Sequence, residues 1–168
     1  MRSITIEKIT LNIGTGEPGP KLDKAMKLLN MITGAKPVQT TTQKRIPGWK
    51  IRPGLVIGCK VTLRKNKAIQ ALKQLLSGID YKIGERQFDD YGNFAFGIKE
   101  YIDIPSIKYN PDIGVIGLEV AVTLQRKGFR LKHRAIKRRK ISHLHNITKV
   151  EAIQFIKDEF KVNVVNEE

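Results

Sequence analysis

At 168 residues with 40% hydrophobic content, the chain is long enough to bury a core without staples, and a net charge of +15 does not make it a disordered polycation. Its one cysteine, Cys59, excludes an internal disulfide. Met1-Arg2-Ser3-Ile4 opens directly into an alternating pattern, and no apolar run nears the roughly 18 residues of a membrane span, so a soluble intracellular protein is expected.

Ile9, Leu11 and Ile13 alternate with Thr10 and Asn12, which predicts a strand with one apolar and one polar face. Gly14, Gly16, Pro18, Gly19 and Pro20 lead into a helix with Leu22, Ala25, Met26, Leu29 and Ile32 inward, stopped by Gly34 and Pro37. Val38 to Thr42 reads as a short Thr-rich strand. Gln43 to Gly54 reads as a loop carrying Lys44, Arg45, Lys50 and Arg52 around Trp49. Leu55, Ile57, Cys59, Val61 and Leu63 then share one strand face, with Lys60, Thr62 and Arg64 on the other.

Asn66 is placed to cap a second helix with Ile69, Leu72, Leu75 and Leu76 inward, ended by Gly78. Tyr91-Gly92-Asn93 reads as a turn into a strand bearing Phe94, Phe96 and Ile98, and Ile102 and Ile104 suggest another short strand. Ile116, Leu118, Val120, Val122 and Leu124 form the last long strand, and the basic segment 126–146 follows. Thr148 and Glu151 have capping-box spacing for a terminal helix over 148–161, with Ile153, Ile156 and Phe160 inward.

Strands and helices do not alternate regularly, and several strands are two-faced. The pattern predicts an α+β fold, a single domain over 1–168, with a largely antiparallel sheet covered by helices on one face and open on the other. That open face would display Thr10, Asn12, Lys60, Thr62 and Arg64.

The charges are segregated along the chain. Lys24 to Ile79 holds twelve Lys and Arg and no acid, and Val120 to Val150 holds ten and no acid, with all three histidines. Asp80 to Glu119, between them, carries eight acids against four bases. Ordinary solvated surfaces mix the signs, so one side should be strongly positive, suited to a polyanion with regularly spaced phosphates. The run Arg126, Lys127, Arg130, Lys132, Arg134, Lys137, Arg138, Arg139 and Lys140 lacks the interleaved acids of a self-paired helix face, which favours nucleic acid over a solvated surface. Trp49 could plug a core, but four cations and two prolines around it favour a presented loop.

Several motifs carry less than they promise. Gly14, Gly16 and Gly19 fit a dinucleotide fingerprint, but no acid lies between Asp23 and Asp80 to hold a ribose, so a glycine turn is expected and no cofactor. His143 and His145, with His133, lack a nearby cysteine or carboxylate to complete a metal site, and no metal is expected. Cys59 lies on an apolar strand face, as a core residue would. Asp89 and Asp90 precede a turn, with no partner for acid–base work. No constellation reads as an active site, so no enzyme is expected.

Leu11-Asn12-Ile13-Gly14-Thr15-Gly16-Glu17, Thr33-Gly34-Ala35-Lys36-Pro37, Ile57-Gly58-Cys59-Lys60-Val61-Thr62-Leu63-Arg64 and Gly92-Asn93-Phe94-Ala95-Phe96-Gly97-Ile98 together resemble the ribosomal protein L5 family of the large subunit. Ile102-Asp103-Ile104-Pro105 and Tyr109-Asn110-Pro111-Asp112-Ile113-Gly114 fit as well. The basic segment followed by a Thr-Lys-x-Glu helix is similar to the archaeal and eukaryotic branch. The likeness runs over essentially the whole chain.

The resemblance implies a structural protein of the cytoplasmic ribosome. Its implied partners are 5S rRNA and a 23S-type rRNA helix in the central protuberance, P-site tRNA, neighbouring proteins there and a small-subunit head protein. It implies 5S contacts at Asn12, Lys36, Lys60, Thr62 and Arg64. It also implies a tRNA-contacting loop with Lys44, Arg45, Trp49, Lys50 and Arg52. Ala35 stands where relatives carry a glutamine that touches 5S rRNA, which puts one side-chain hydrogen bond in question. Two other readings remain: a transiently RNA-binding assembly factor or translational regulator, and a nucleotide-dependent RNA modifier resting on the glycine motif alone.

Overall fold

The computed structural model describes residues 1–165. In chain order the elements are β1 (Ile4–Gly14), α1 (Pro20–Thr33), β2 (Val38–Thr41), β3 (Val56–Leu63), α2 (Lys65–Ser77), β4 (Lys82–Gly84), β5 (Phe94–Ile98), β6 (Leu118–Arg126), the single turn α3 (Arg130–His133), α4 (Lys149–Phe160) and β7 (Asn163–Val165). Five strands form an antiparallel sheet in the order β2-β3-β1-β6-β5, giving the expected α+β fold.

The sheet register stacks the apolar residues onto one side. Ile9 lies opposite both Leu63 and Val122, and Leu11 opposite both Val61 and Val120, and all six are buried. Against them α1 brings Leu22, Ala25, Leu28 and Leu29, and α2 brings Ala68, Ala71, Leu72, Leu75 and Leu76. Fully burying a side chain such as Leu11 or Leu72 stabilises the fold by roughly 1.5–3 kcal/mol. Gly34 ends α1 in the left-handed conformation, φ 61°, and donates its N–H to the Asn30 carbonyl. Thr148 and Glu151 form the expected capping box on α4.

Three expectations are corrected. The inward stripe of α2 is Ala68, Ala71, Leu72, Leu75 and Leu76, and Ile69 alone of the expected set is left exposed, its place taken by the two alanines. The helix starts at Lys65, with Arg64 at the cap position and making no side-chain cap, so the expected cap at Asn66 is two residues late. Ile102 lies inside a 3-10 turn, Tyr101–Asp103, and Ile104 directly follows it, instead of both lying in a strand. Tyr101 turns into the core there, its hydroxyl accepting the Asn110 N–H, and Pro105 blocks further strand pairing. The short parallel pair β4–β7 is an addition that alternation did not signal.

Candidate nucleic-acid interface

The same register sets the polar face. Thr10 lies opposite Thr62 and Asn12 opposite Lys60, and across β6 the partners of Lys8, Thr10 and Asn12 are Thr123, Ala121 and Glu119. Their neighbours along each strand are buried, so these side chains stand on the uncovered side. Lys60, Thr62 and Arg64 are exposed and Asn12 is half-buried, in the phase that alternation gives. Lys36 is exposed in the α1–β2 turn, two residues before Val38, which lies opposite Lys60. Ala35 is half-buried and packs on the core instead.

Two carboxylates belong to this region that the sequence reading did not place there. Asn12 Nδ2 donates to Glu119 Oε2 at 3.0 Å. Glu7 Oε1 lies 3.7 Å from both Arg64 Nη1 and His133 Nε2. The parity of β6 could have found Glu119, since Leu118 and Val120 point inward. Glu7 sits at a bulge between Ile6 and Lys8, which strict alternation does not reveal. Lys65 and Lys67 join Arg64 where α2 begins. Positive charge there opposes the helix dipole, and an anionic partner would relieve that repulsion.

The Lys44–Pro53 loop is a closed finger. Thr42 and Leu55 tie its base through Thr42 N–H to Leu55 O, 2.9 Å, and the Thr42 hydroxyl donates to Arg52 O, 2.6 Å. Nearer the tip Ile46 and Ile51 exchange backbone hydrogen bonds of 3.0 and 3.1 Å around a 3-10 turn, Pro47–Trp49. Ile51 is buried, while Lys44, Arg45, Lys50 and Arg52 are exposed and Trp49 is 74% exposed. Trp49 is held out of the core on a braced loop and plugs nothing.

The basic segment is folded rather than a free tail. Phe129 and Ile147 are buried in the core, and Gly92, with φ 77°, leaves the space that Ile147 fills: a Cβ there would meet Ile147 Cγ2 at 2.5 Å. Lys132 Nζ stands 4.4 Å over the Phe129 ring, and Arg134 Nε donates to Lys137 O at 2.8 Å. Lys127, Arg130, Lys137, Arg138, Arg139 and Lys140 are exposed, and Lys132 and Arg134 half-buried. Arg126 departs from the expected set. It is 4% exposed, and its Nη2 lies 2.6 Å from Glu151 Oε2. The reason is parity again: Arg126 continues the inward series Leu118, Val120, Val122 and Leu124, so it is unavailable to a phosphate.

The remaining motifs are occupied with structure. Thr15 and Gly16 both donate their N–H to Ile57 O, at 2.9 and 3.0 Å, which removes two donors a phosphate cradle would need. Burial pushes the Cys59 thiol up to about 11, far from a nucleophile's range. His145 Nε2 lies 3.0 Å from Lys127 O, and its ring meets Phe129 edge-on. Asp89 organises the turn before β5, accepting from the backbone N–H of Tyr91 and Asn93 and from Asn93 Nδ2. Among the described residues no helix is long and apolar enough to cross a membrane.

Comparison with known proteins agrees with this arrangement. Residues 1–52 match the family described as ribosomal protein L5, and residues 56–155 match the C-terminus of the same ribosomal family. The chain belongs to the ribosomal protein L5 family. Its relatives include the large ribosomal subunit protein uL5 of Nanoarchaeum equitans, 52% identical over 98% of each chain. The proteins of the same name from Thermoplasma volcanium and Sulfolobus acidocaldarius are 45% identical over 98% of both chains and 42% identical over 98% of this chain and 93% of the relative. This L5 family is one of ribosomal structural proteins, not enzymes, so the polar sheet face, the finger and the basic segment are candidate surfaces for assembly rather than parts of an active site.

Proposed function

We propose that the protein binds 5S rRNA through the open sheet face. The exposed Lys137–Lys140 stretch and its basic neighbours neutralise rRNA phosphates of 5S and a 23S-type helix. The Lys44–Pro53 finger contacts P-site tRNA, and the surrounding partners are proteins of the central protuberance and the small-subunit head. The observation that carries the reading is the pairing of Thr10 with Thr62 and Asn12 with Lys60 on the uncovered side of the sheet. It supplies directional hydrogen-bonding groups on a rigid, nearly flat surface, which suits RNA recognised by shape and 2′-hydroxyls. Lys36 and Arg64 flank these pairs and add phosphate contacts.

The purified protein is therefore expected to bind 5S rRNA in preference to an unrelated duplex of equal length. With about six phosphates neutralised, log K against log[salt] should slope at roughly −4 to −5. Filter binding across a salt series measures both. Equal affinity for the two RNAs would reduce the surface to a non-specific polycation and overturn the sheet-face assignment.

A further inference from the structure

Arg126 and Glu151 stand at the two ends of the basic segment. Arg126 is the last residue of β6, and Glu151 lies in the first turn of α4. Their side chains meet at 2.6 Å, so the chain that leaves the sheet at residue 126 is tied to the chain that returns at 151. Further ties lie above that pair. The Lys127 carbonyl meets His145 Nε2 at 3.0 Å, Phe129 takes the His145 ring edge, and Arg139 N–H donates to Leu131 O at 3.2 Å. The resulting loop is closed at its base and cross-linked halfway up.

The energetics argue that this pair does more than stabilise. Arg126 is almost fully buried, and its Nε finds no hydrogen-bond acceptor among the described residues. Taking such a cation out of water is costly, and well-packed apolar side chains commonly stabilise as much or more. Buried ion pairs are retained in some proteins for the geometry they fix and not for net stability. Here the fixed geometry brings His133 to within 3.7 Å of Glu7, beside Arg64 at the edge of the polar sheet face.

We infer that Arg126 and Glu151 form a latch that pre-orders the basic segment, so that its exposed cations continue the polar sheet face before RNA arrives. Arg126 is then a positioning residue and not a phosphate ligand. Glu151, an acid, favours binding to a polyanion through its grip on Arg126. The inference rests on the RNA-binding reading above. If unlatched segments populate many conformations, the apparent affinity falls by the fraction that is competent. The bound state keeps all its phosphate contacts, so the salt slope does not change.

Glu151→Gln is the discriminating variant. Gln preserves the capping box with Thr148, so α4 and the fold survive while the charge facing Arg126 is lost. Simple electrostatics says that removing an acid strengthens RNA binding; the latch says that it weakens it. We expect 5S rRNA affinity to fall about fivefold with the wild-type salt slope, the competent fraction having dropped to about one fifth. Hydrogen exchange in the free protein should accelerate over 127–147 and not in the sheet. Arg126→Gln should behave alike, and the double variant should be no worse than either single one, because both remove one interaction. As contrast, changing the exposed Lys137, Arg138, Arg139 and Lys140 to Gln should flatten the slope, each lost phosphate contact removing about 0.7 to 0.8 from it. Glu151→Gln that binds as well as or better than wild type overturns the latch, as does Arg126→Gln that flattens the slope. If wild type shows no preference for 5S rRNA, the RNA assignment fails, and unchanged exchange over 127–147 in Glu151→Gln still separately decides against the latch.

Discussion

Asn12, proposed above as a contact to 5S rRNA, is held in place before any partner arrives. One of its amide hydrogens is held by Glu119 at 3.0 Å, which fixes the side chain and leaves its carbonyl oxygen turned to whatever approaches. Thr62, across the strand pair from Thr10, offers a hydroxyl that both donates and accepts. Thr62→Val and Asn12→Ala should each weaken 5S rRNA binding by about 1 kcal/mol, the net value of one hydrogen bond at an exposed site. The loss for Asn12→Ala should be the larger, because it also leaves the Glu119 carboxylate unpaired beside RNA phosphates. Both variants should melt like wild type, since neither side chain is in the core. Binding of 5S rRNA by both variants at wild-type strength would take these two residues out of the interface.

Among the elements, legibility followed length and period. β1, β3 and β6 are the longest strands, and there alternation placed Thr10, Asn12, Lys60 and Thr62 on the uncovered side; it missed Glu119, misplaced Arg126, which parity carried to the end of β6 would have put inside, and could not foresee Glu7 at the β1 bulge. The three-residue strands β4 and β7 pair only with each other, and too few residues alternate for a signal. Phe129 and Ile147 sit among cations and glycines, so local composition hid that the basic segment is anchored at both ends.

The capping box of α4 was legible, and it carries a pH dependence. The Thr148 N–H that donates to the Glu151 carboxylate holds it below its ordinary value of 4.5, and Arg126 pulls the same way against a partial desolvation that opposes. A depressed carboxylate contributes stability that is complete above its unfolded value and is lost as pH falls through the folded one. The difference in melting temperature between wild type and Glu151→Gln should therefore be largest above pH 4.5 and shrink as the pH drops below it. A difference that stays constant through acid would show that Glu151 acts there as a neutral hydrogen-bonding group.

On the scale of the whole molecule, the finger and the basic segment, one from each acid-free window, lie at opposite ends of the sheet, while Arg64 of the first window meets His133 of the second across Glu7. Gly14 lies opposite Gly58 at one end of the sheet, next to the finger that precedes β3, while Ile4 lies opposite Arg126 at the other, where the basic segment leaves. The eleven residues of β1 separate the two by roughly 35 Å at the rise of an extended strand. That spacing exceeds the Debye length of about 8 Å at physiological salt, so each end presents its own field and can hold a different RNA. Composition showed the amount of basic charge; only strand order and register show that the finger and the basic segment stand at two ends of the sheet. Changing Lys44, Arg45, Lys50 and Arg52 to Ala should leave 5S rRNA affinity within about twofold, because the side chains of the sheet face and the basic segment are untouched. Large subunits carrying this variant should hold P-site tRNA less tightly by about 1 kcal/mol, since exposed phosphate contacts are individually weak. Filter binding of both RNAs to wild type and variant measures the split. A variant that loses 5S rRNA and keeps P-site tRNA would reverse the roles of the two ends.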